Sequence, residues 1–477
     1  MKFFVSCAVS FRSAEKEFFF DFVKDLSKIR FIYKPKERHT FASTVLEAVH
    51  EEIIEAKRQI LSNTDSVLLM DGWKNKSVNR KSLVYTLRNA DCPQLFLSFT
   101  NFSTQKETAV NLSNHAENAI AVAKEVYNTN VIGVSTDNDS KIVAGARETT
   151  NTEGESLLPS TCTSHSGDLL IEKIVDQNFL RIVREIVNIF KDPALESELV
   201  ETFGGTKLKN YPDTRFCYAR DCYESVLKNL RHLRSVVELD HIDIGDKKEA
   251  IQHLYNPDFE NLLKREIKLI TQVCKMVNKC QDPKMSLAES TQLWLQLKFD
   301  EDAVNSEGIK LNQLLENRKK KALGVVAFAA NLLHYKYRGT LMNSDQRENA
   351  IRFIKSKVNQ KGAKELDTYL NFSERFKWFS DRCKSCESFW TWCELDLTPN
   401  LAVFAHKLML LPASTALIES LFSNWSYVHN IYRARLSDEK SGMLIDIYHS
   451  LKFIDFSTMS PKIPKKRPPK KHLIIEP

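Results

Sequence analysis

The order of apolar patterns between residues 66 and 148 narrows the folds open to this chain more than any other feature. Ser66–Met70 is a continuous apolar run. Lys81–Leu87 and Gln94–Thr100 alternate as half-buried strands do. Ala109–Tyr127 then places Ala116, Ala119, Ile120, Val122, Ala123 and Val126 on one side of a helix. Asn130–Ser135, rich in Val and Ile, reads as a buried strand, and a further helix covers Ile142–Glu148. A β-β-β-α-β-α order of this kind predicts an α/β core, a mixed sheet flanked by helices.

Two of the apolar runs end in an aspartate. Leu68-Leu-Met-Asp71-Gly-Trp73 is one, and Asn130-Val-Ile-Gly-Val-Ser-Thr-Asp137-Asn-Asp139 is the other. An Asp at a strand end is often a turn former, here with Gly72 and Asn138 completing the turns. Asp139 fits the N-cap of the helix that follows. A third acid, Glu419, lies far downstream in Leu411-Pro-Ala-Ser-Thr-Ala-Leu-Ile-Glu-Ser-Leu-Phe-Ser423. That block opens a helix, with Pro412 at or just outside the first turn and Ser414 or Thr415 as cap. Leu417, Ile418, Leu421, Phe422, Trp425 and Val428 form an apolar arc of about 140°, and Glu419 falls roughly 60° beyond its edge. No Ser, Thr, Asp or Asn stands three residues before Glu419, so it is not a capping-box glutamate. If the three acids meet, their oxygens suit hard divalent cations. Two such ions about 3.5–4 Å apart can activate an attacking hydroxyl and stabilise a leaving oxygen at a phosphate.

The DGW segment, the run ending in TDN, the pair Cys162 and His165, and the PASTALIESLFS block occur in the order of the hAT family of cut-and-paste DNA transposases, which this chain resembles from its first residues to about Leu451. The resemblance implies a ribonuclease H-like core interrupted by a large all-α insertion domain. It implies Asp71, Asp137 and Glu419 as catalytic residues holding Mg²⁺ or Mn²⁺, DNA as substrate, and self-association through the terminal block. His165, Arg215 in Thr214-Arg-Phe216, and Trp390 become candidate DNA contacts, as does Arg435. In two places the chain departs from the family: Ser420 follows the glutamate where Arg is usual, and Phe216 stands for Trp. Such proteins carry a BED zinc finger ahead of this region; Cys7 has no partner nearby, and no finger is expected here.

The expected organisation is a helical region over 1–60, the first part of the core over 61–200, the all-α insertion over 201–395, a return to the core over 396–456, and a basic disordered tail over 457–477. The net charge of +7 is mild, so its distribution carries more weight than its sum. Arg318-Lys-Lys-Lys321 and Lys355-Ser-Lys357 are basic runs that either track phosphates or form solvated helix faces. The tail, with Lys465, Lys466 and Arg467 among prolines, suits an importin groove or DNA phosphates, and predicts a nuclear protein. Ten scattered cysteines without framework spacing predict reduced thiols, and Cys383, Cys386 and Cys393 lack an evident fourth metal ligand. No apolar stretch is long enough to span a bilayer.

Overall fold

The computed structural model describes residues 46–75, 79–152, 157–209, 217–242, 248–300, 308–428 and 437–454, with a few isolated positions besides. The chain divides into two compact units, residues 1–52 and 53–477. Of the first, the start of helix α1 (Leu46–Leu61) is the continuous part described.

The second unit is mixed α/β and mostly helical. Its sheet has five strands: β1 (Asp65–Asn75), β2 (Arg80–Arg88), β3 (Leu95–Asn101), β4 (Asn130–Thr136) and β5 (Leu158–Thr161). They lie in the order β3-β2-β1-β4-β5. β2 runs antiparallel to both β1 and β3, while β4 and β5 run parallel to β1. The parallel step from β3 to β4 is carried by helix α2 (Ala109–Tyr127), and the step from β4 to β5 by α3 (Ser140–Thr152). Thr108 caps α2 through its hydroxyl, and Asn128 ends it in the left-handed region at φ 51°. The first four strands and both helices lie where the apolar pattern puts them, except that β1 runs on to Asn75, so Asp71 and Gly72 are paired within the strand and form no turn. β5 has no counterpart in that reading.

Side-chain alternation splits the sheet into two faces. Leu68 and Met70 point to a core with Ala116, Ala119 and Ala123 of α2 and Ile142 and Ala146 of α3. Val67, Leu69 and Asp71 point the other way. On that face Val67 joins a continuous core built mainly by helices. These include α4 (Thr163–Ile174), α5 (Gln177–Ile189), α6 (Tyr218–Val237), α7 (Phe259–Cys280), α8 (Leu287–Gln296), α9 (Gly308–Ala322), α10 (Val325–Leu333), α11 (Cys386–Asp396) and α12 (Pro399–Leu410). Leu69 instead meets α13 (Ala416–Val428) and α14 (Asp438–Phe453), through Ile418, Leu421, Phe422, Trp425 and Ile445. The helical stretch shares its core with Val67, Ile132 and Leu158 of the sheet, so it packs onto the sheet without a separate compact unit of its own.

One irregularity sets the register at the site. Ser66 pairs with Val131 but Val67 with Gly133, so β4 carries an extra residue there. Beyond it the pairing runs regularly to Leu69 with Ser135 and Met70 with Thr136. Asp71 and Asp137 therefore stand one step past the last pair of these two parallel strands, Asp71 within β1, where it still pairs with Val84 of β2, and Asp137 just past the end of β4.

Candidate functional site

Asp71 is 7% exposed, on the sheet face that receives α13. Two residues on and on the same face, Trp73 stacks on Phe422 with ring centroids 5.4 Å apart and planes 5° from parallel, and also meets Trp425 at 5.5 Å. The Trp425 indole is fixed in turn by donating to Ser441 Oγ at 2.8 Å. Phe422 is three residues beyond Glu419, nearly one turn along α13. The aromatic contact thus lays the glutamate over the end of β1.

The segment leading into α13 is stitched down on both sides. Leu287 N–H donates to Leu411 O at 2.8 Å, and Ala413 N–H to Met285 O at 3.1 Å. Thr163 donates to Ala413 O through its N–H at 2.9 Å and its hydroxyl at 2.7 Å. Ser414 Oγ accepts from Ala416 N–H at 3.0 Å at the head of α13. Cys162 is the hub between these parts. Its Sγ accepts from the N–H of His165 and of Thr415, both at 3.4 Å, and lies 3.3 Å from Ser414 Oγ. Its own N–H donates to Thr136 O at 2.7 Å. The thiol caps α4 and ties that helix to the end of β4 and the start of α13.

The acids act on one another's ionisation, Asp71 and Asp137 most directly. Burial, then the charges of Asp137 and Glu419, push the Asp71 carboxyl well above the usual aspartate range. Asp137 is pushed up to about 6, first by burial, against the Asp139 N–H that donates to its Oδ1 at 3.1 Å. Glu419 is pushed up to about 7 by burial and then by Asp168 and Asp137. Asp139 caps α3 by accepting from Lys141 N–H at 2.8 Å and Ile142 N–H at 3.3 Å, the role its position predicts.

A fourth acid belongs to this group. Asp168, on α4, acts on Glu419 and is itself pushed up to about 6 by burial and the charge of Glu172, against a bond from Cys217 N–H. Sequence reasoning passes over it, because a single acid on an amphipathic helix is ordinarily solvated. The signal present was spacing: His165, Asp168 and Glu172 fall on one face of α4. His165 is lowered by burial and lies within electrostatic range of Glu172, Arg318 and Asp139.

Other candidates fall elsewhere. Trp390 is fully buried in the helical core, and its indole donates to Leu333 O at 2.9 Å; no face is open to stack a base. Cys383 and Cys393 are buried, Cys386 is partly so, and none forms a disulfide. Burial raises all three thiols, and they pack as apolar groups. Arg215, Arg435, Lys465, Lys466 and Arg467 lie outside the described residues.

The donor set at the acids is all oxygen, and the influences that raise Asp71 and Glu419 are burial and other carboxylates. That chemistry fits a hard divalent cation, which would relieve the repulsion. Among the described residues no three His, Cys, Asp or Glu side chains already stand as a metal-ligand set. Also among them, no helix is long and apolar enough to cross a membrane. Compared with known proteins, the chain matches no family model, and no curated protein matches it.

Proposed function

We propose that this chain is a metal-dependent DNA nuclease and strand-transfer enzyme of the hAT transposase kind, built on a ribonuclease H-like core with a helical insertion. The observation that carries this reading is the mutual electrostatic influence of Asp71, Asp137 and Glu419, which come from the middle of β1, the position just past its parallel neighbour β4, and a helix far downstream. The sheet order β3-β2-β1-β4-β5 with β2 antiparallel supports it as well. Asp71, Asp137 and Glu419 would hold Mg²⁺ or Mn²⁺, which supplies activation of the attacking hydroxyl and charge stabilisation at the phosphate. The protein's own part is to keep these oxygens together in a half-buried place. Trp73, Phe422 and Cys162 do so from outside the reaction. Self-association through the last helix is part of the reading: Tyr448 and Leu451 of α14 are 41% and 40% exposed. Nuclear location and importin binding rest on the tail sequence.

A second reading is a descendant of such an enzyme that binds DNA and dimerises without cutting. Ser420 favours it: its hydroxyl turns back to Leu417 O at 2.7 Å, so position 420 offers no cation to DNA. The deciding experiment incubates the full chain and its Glu419→Gln variant with Mg²⁺ or Mn²⁺ and labelled duplexes taken from the sequence on either side of its coding region. Strand cleavage by the parent and not by the variant is expected. Salt-dependent binding without any nicking selects the second reading.

A further inference from the structure

Helix α9 packs directly against α4, the helix that carries Cys162 at its cap and His165 and Asp168 toward the acids. Arg318 of α9 is half-buried and within electrostatic range of Glu172 and His165. It forms no hydrogen bond or ion pair among the described residues, unlike its neighbour Lys319, which pairs with Glu316 at 2.9 Å. A guanidinium has five donors in a planar fork suited to phosphate oxygens. Leaving one partly desolvated and unpaired is unfavourable unless an anion completes it. Its neighbours narrow the choice of anion. Arg318 acts on His165, which shares a face of α4 with Asp168, the acid that acts on Glu419, so α9 packs Arg318 against the same helix that borders the acids. A cation there would hold a phosphate that the acids themselves repel.

We infer that Arg318 is a DNA-binding residue that grips a backbone phosphate next to the one positioned at Asp71, Asp137 and Glu419. This rests on the DNA reading above and adds to it a residue of the helical stretch. On this reading the helical layer, through α9, contributes to substrate placement as well as to the core. Lys320, exposed on the same helix, serves as a comparator for diffuse attraction.

The test titrates the full chain into a fluorescein-labelled duplex of mixed sequence, in EDTA, over a series of salt concentrations. Loss of one phosphate contact lowers the slope of log affinity against log salt by about one. Arg318→Ala is expected to show that loss and to bind about tenfold more weakly at low salt. Arg318→Lys is expected to regain the slope, since it restores the charge, but not the full affinity. Lys320→Ala is expected to change both little. Thermal melting checks each variant, and Arg318→Gln replaces Arg318→Ala should the latter melt early. If the parent binds and Arg318→Ala binds with the same affinity and slope, the assignment fails while the DNA reading stands. Equal losses in Arg318→Ala and Lys320→Ala also overturn it, because diffuse attraction would then suffice. A parent that binds no DNA at low salt overturns both.

Discussion

Single side chains at the acid group have opposite effects on stability and chemistry. Glu419 is raised from its usual 4.5 to about 7 in the folded chain. The folded state therefore keeps a proton that the unfolded state gives up first. The stability linked to this group is complete below the ordinary value and is lost as pH climbs from there through about 7. In EDTA the melting temperature is expected to fall across that window, and Glu419→Gln is expected to flatten the fall. A melting curve as steep in the variant as in the parent would remove Glu419 from the group. Magnesium acts on the ionised side of the same equilibrium, so its stabilising effect is expected to grow with pH and to vanish in Asp71→Asn. Asp168 acts on Glu419 from α4, and under the proposed nuclease function it is a positioning residue. Asp168→Asn is expected to lower cleavage by about 10–100-fold, the usual cost of losing an outer support for a ligand. The same variant is expected to shift the pH profile of cleavage toward acid, because Glu419 would ionise more easily. A loss of rate with an unmoved profile would assign Asp168 a structural role alone.

At the scale of elements, the site depends on how closely α4 is held. A Cβ added at Gly167 would sit 2.3 Å from Val277 Cγ2 on α7, so the two helices approach at a position that admits no side chain. Gly167→Ala gains about 1 kcal/mol of helix propensity but must push α4 and α7 apart, at a cost of about 1–3 kcal/mol. The expected net result is a lower urea midpoint together with slower cleavage, since α4 carries Asp168. A variant more stable than the parent would show that α4 has room to move. Much of this level could be read from the chain. β1 to β4 and α2 carry patterns of period two and 3.6 long enough to identify them. β5 could not be read: it has four residues, includes Pro159, and its pairing comes wholly from β4. The start of α13 was legible from Ser414, which accepts the predicted cap bond. That Glu419 comes within electrostatic range of Asp71 was not, because a helical wheel says which residue leaves the apolar arc and nothing about what it meets. The contact between Trp73 and Phe422 supplies that information, and it joins residues far apart in the sequence. The family resemblance implies that the three acids act together, whereas local pattern alone gives turn formers and a solvated glutamate.

Across the whole molecule, the sheet is closed by a lock between the two ends of its sequence. Lys57 of α1 is fully buried, and its Nζ donates to both Asp446 oxygens, at 2.8 and 2.6 Å, and to Phe96 O at 2.9 Å. Burial pulls the ammonium down, but Asp446 and Tyr127 outweigh it, and its pKa ends raised. Ser450 Oγ donates to Asp446 Oδ1 at 3.1 Å, which satisfies the carboxylate further. The bond joins α1, β3 and α14, and α14 in turn holds Trp425 and so the helix that carries Glu419. A buried pair of this kind contributes little net stability compared with an apolar pair, but removing one partner leaves a buried charge alone. Lys57→Met is therefore expected to destabilise the chain by about 3–5 kcal/mol, while Lys57→Met with Asp446→Leu recovers most of that loss. Recovery of stability need not restore function. Without the directional bond to Phe96 O and Asp446, α14 can settle on the sheet in more than one register, and α13 moves with it. The double variant is expected to melt near the parent but to cleave DNA more slowly. Full activity in a stable double variant would show that apolar packing alone sets the place of Glu419.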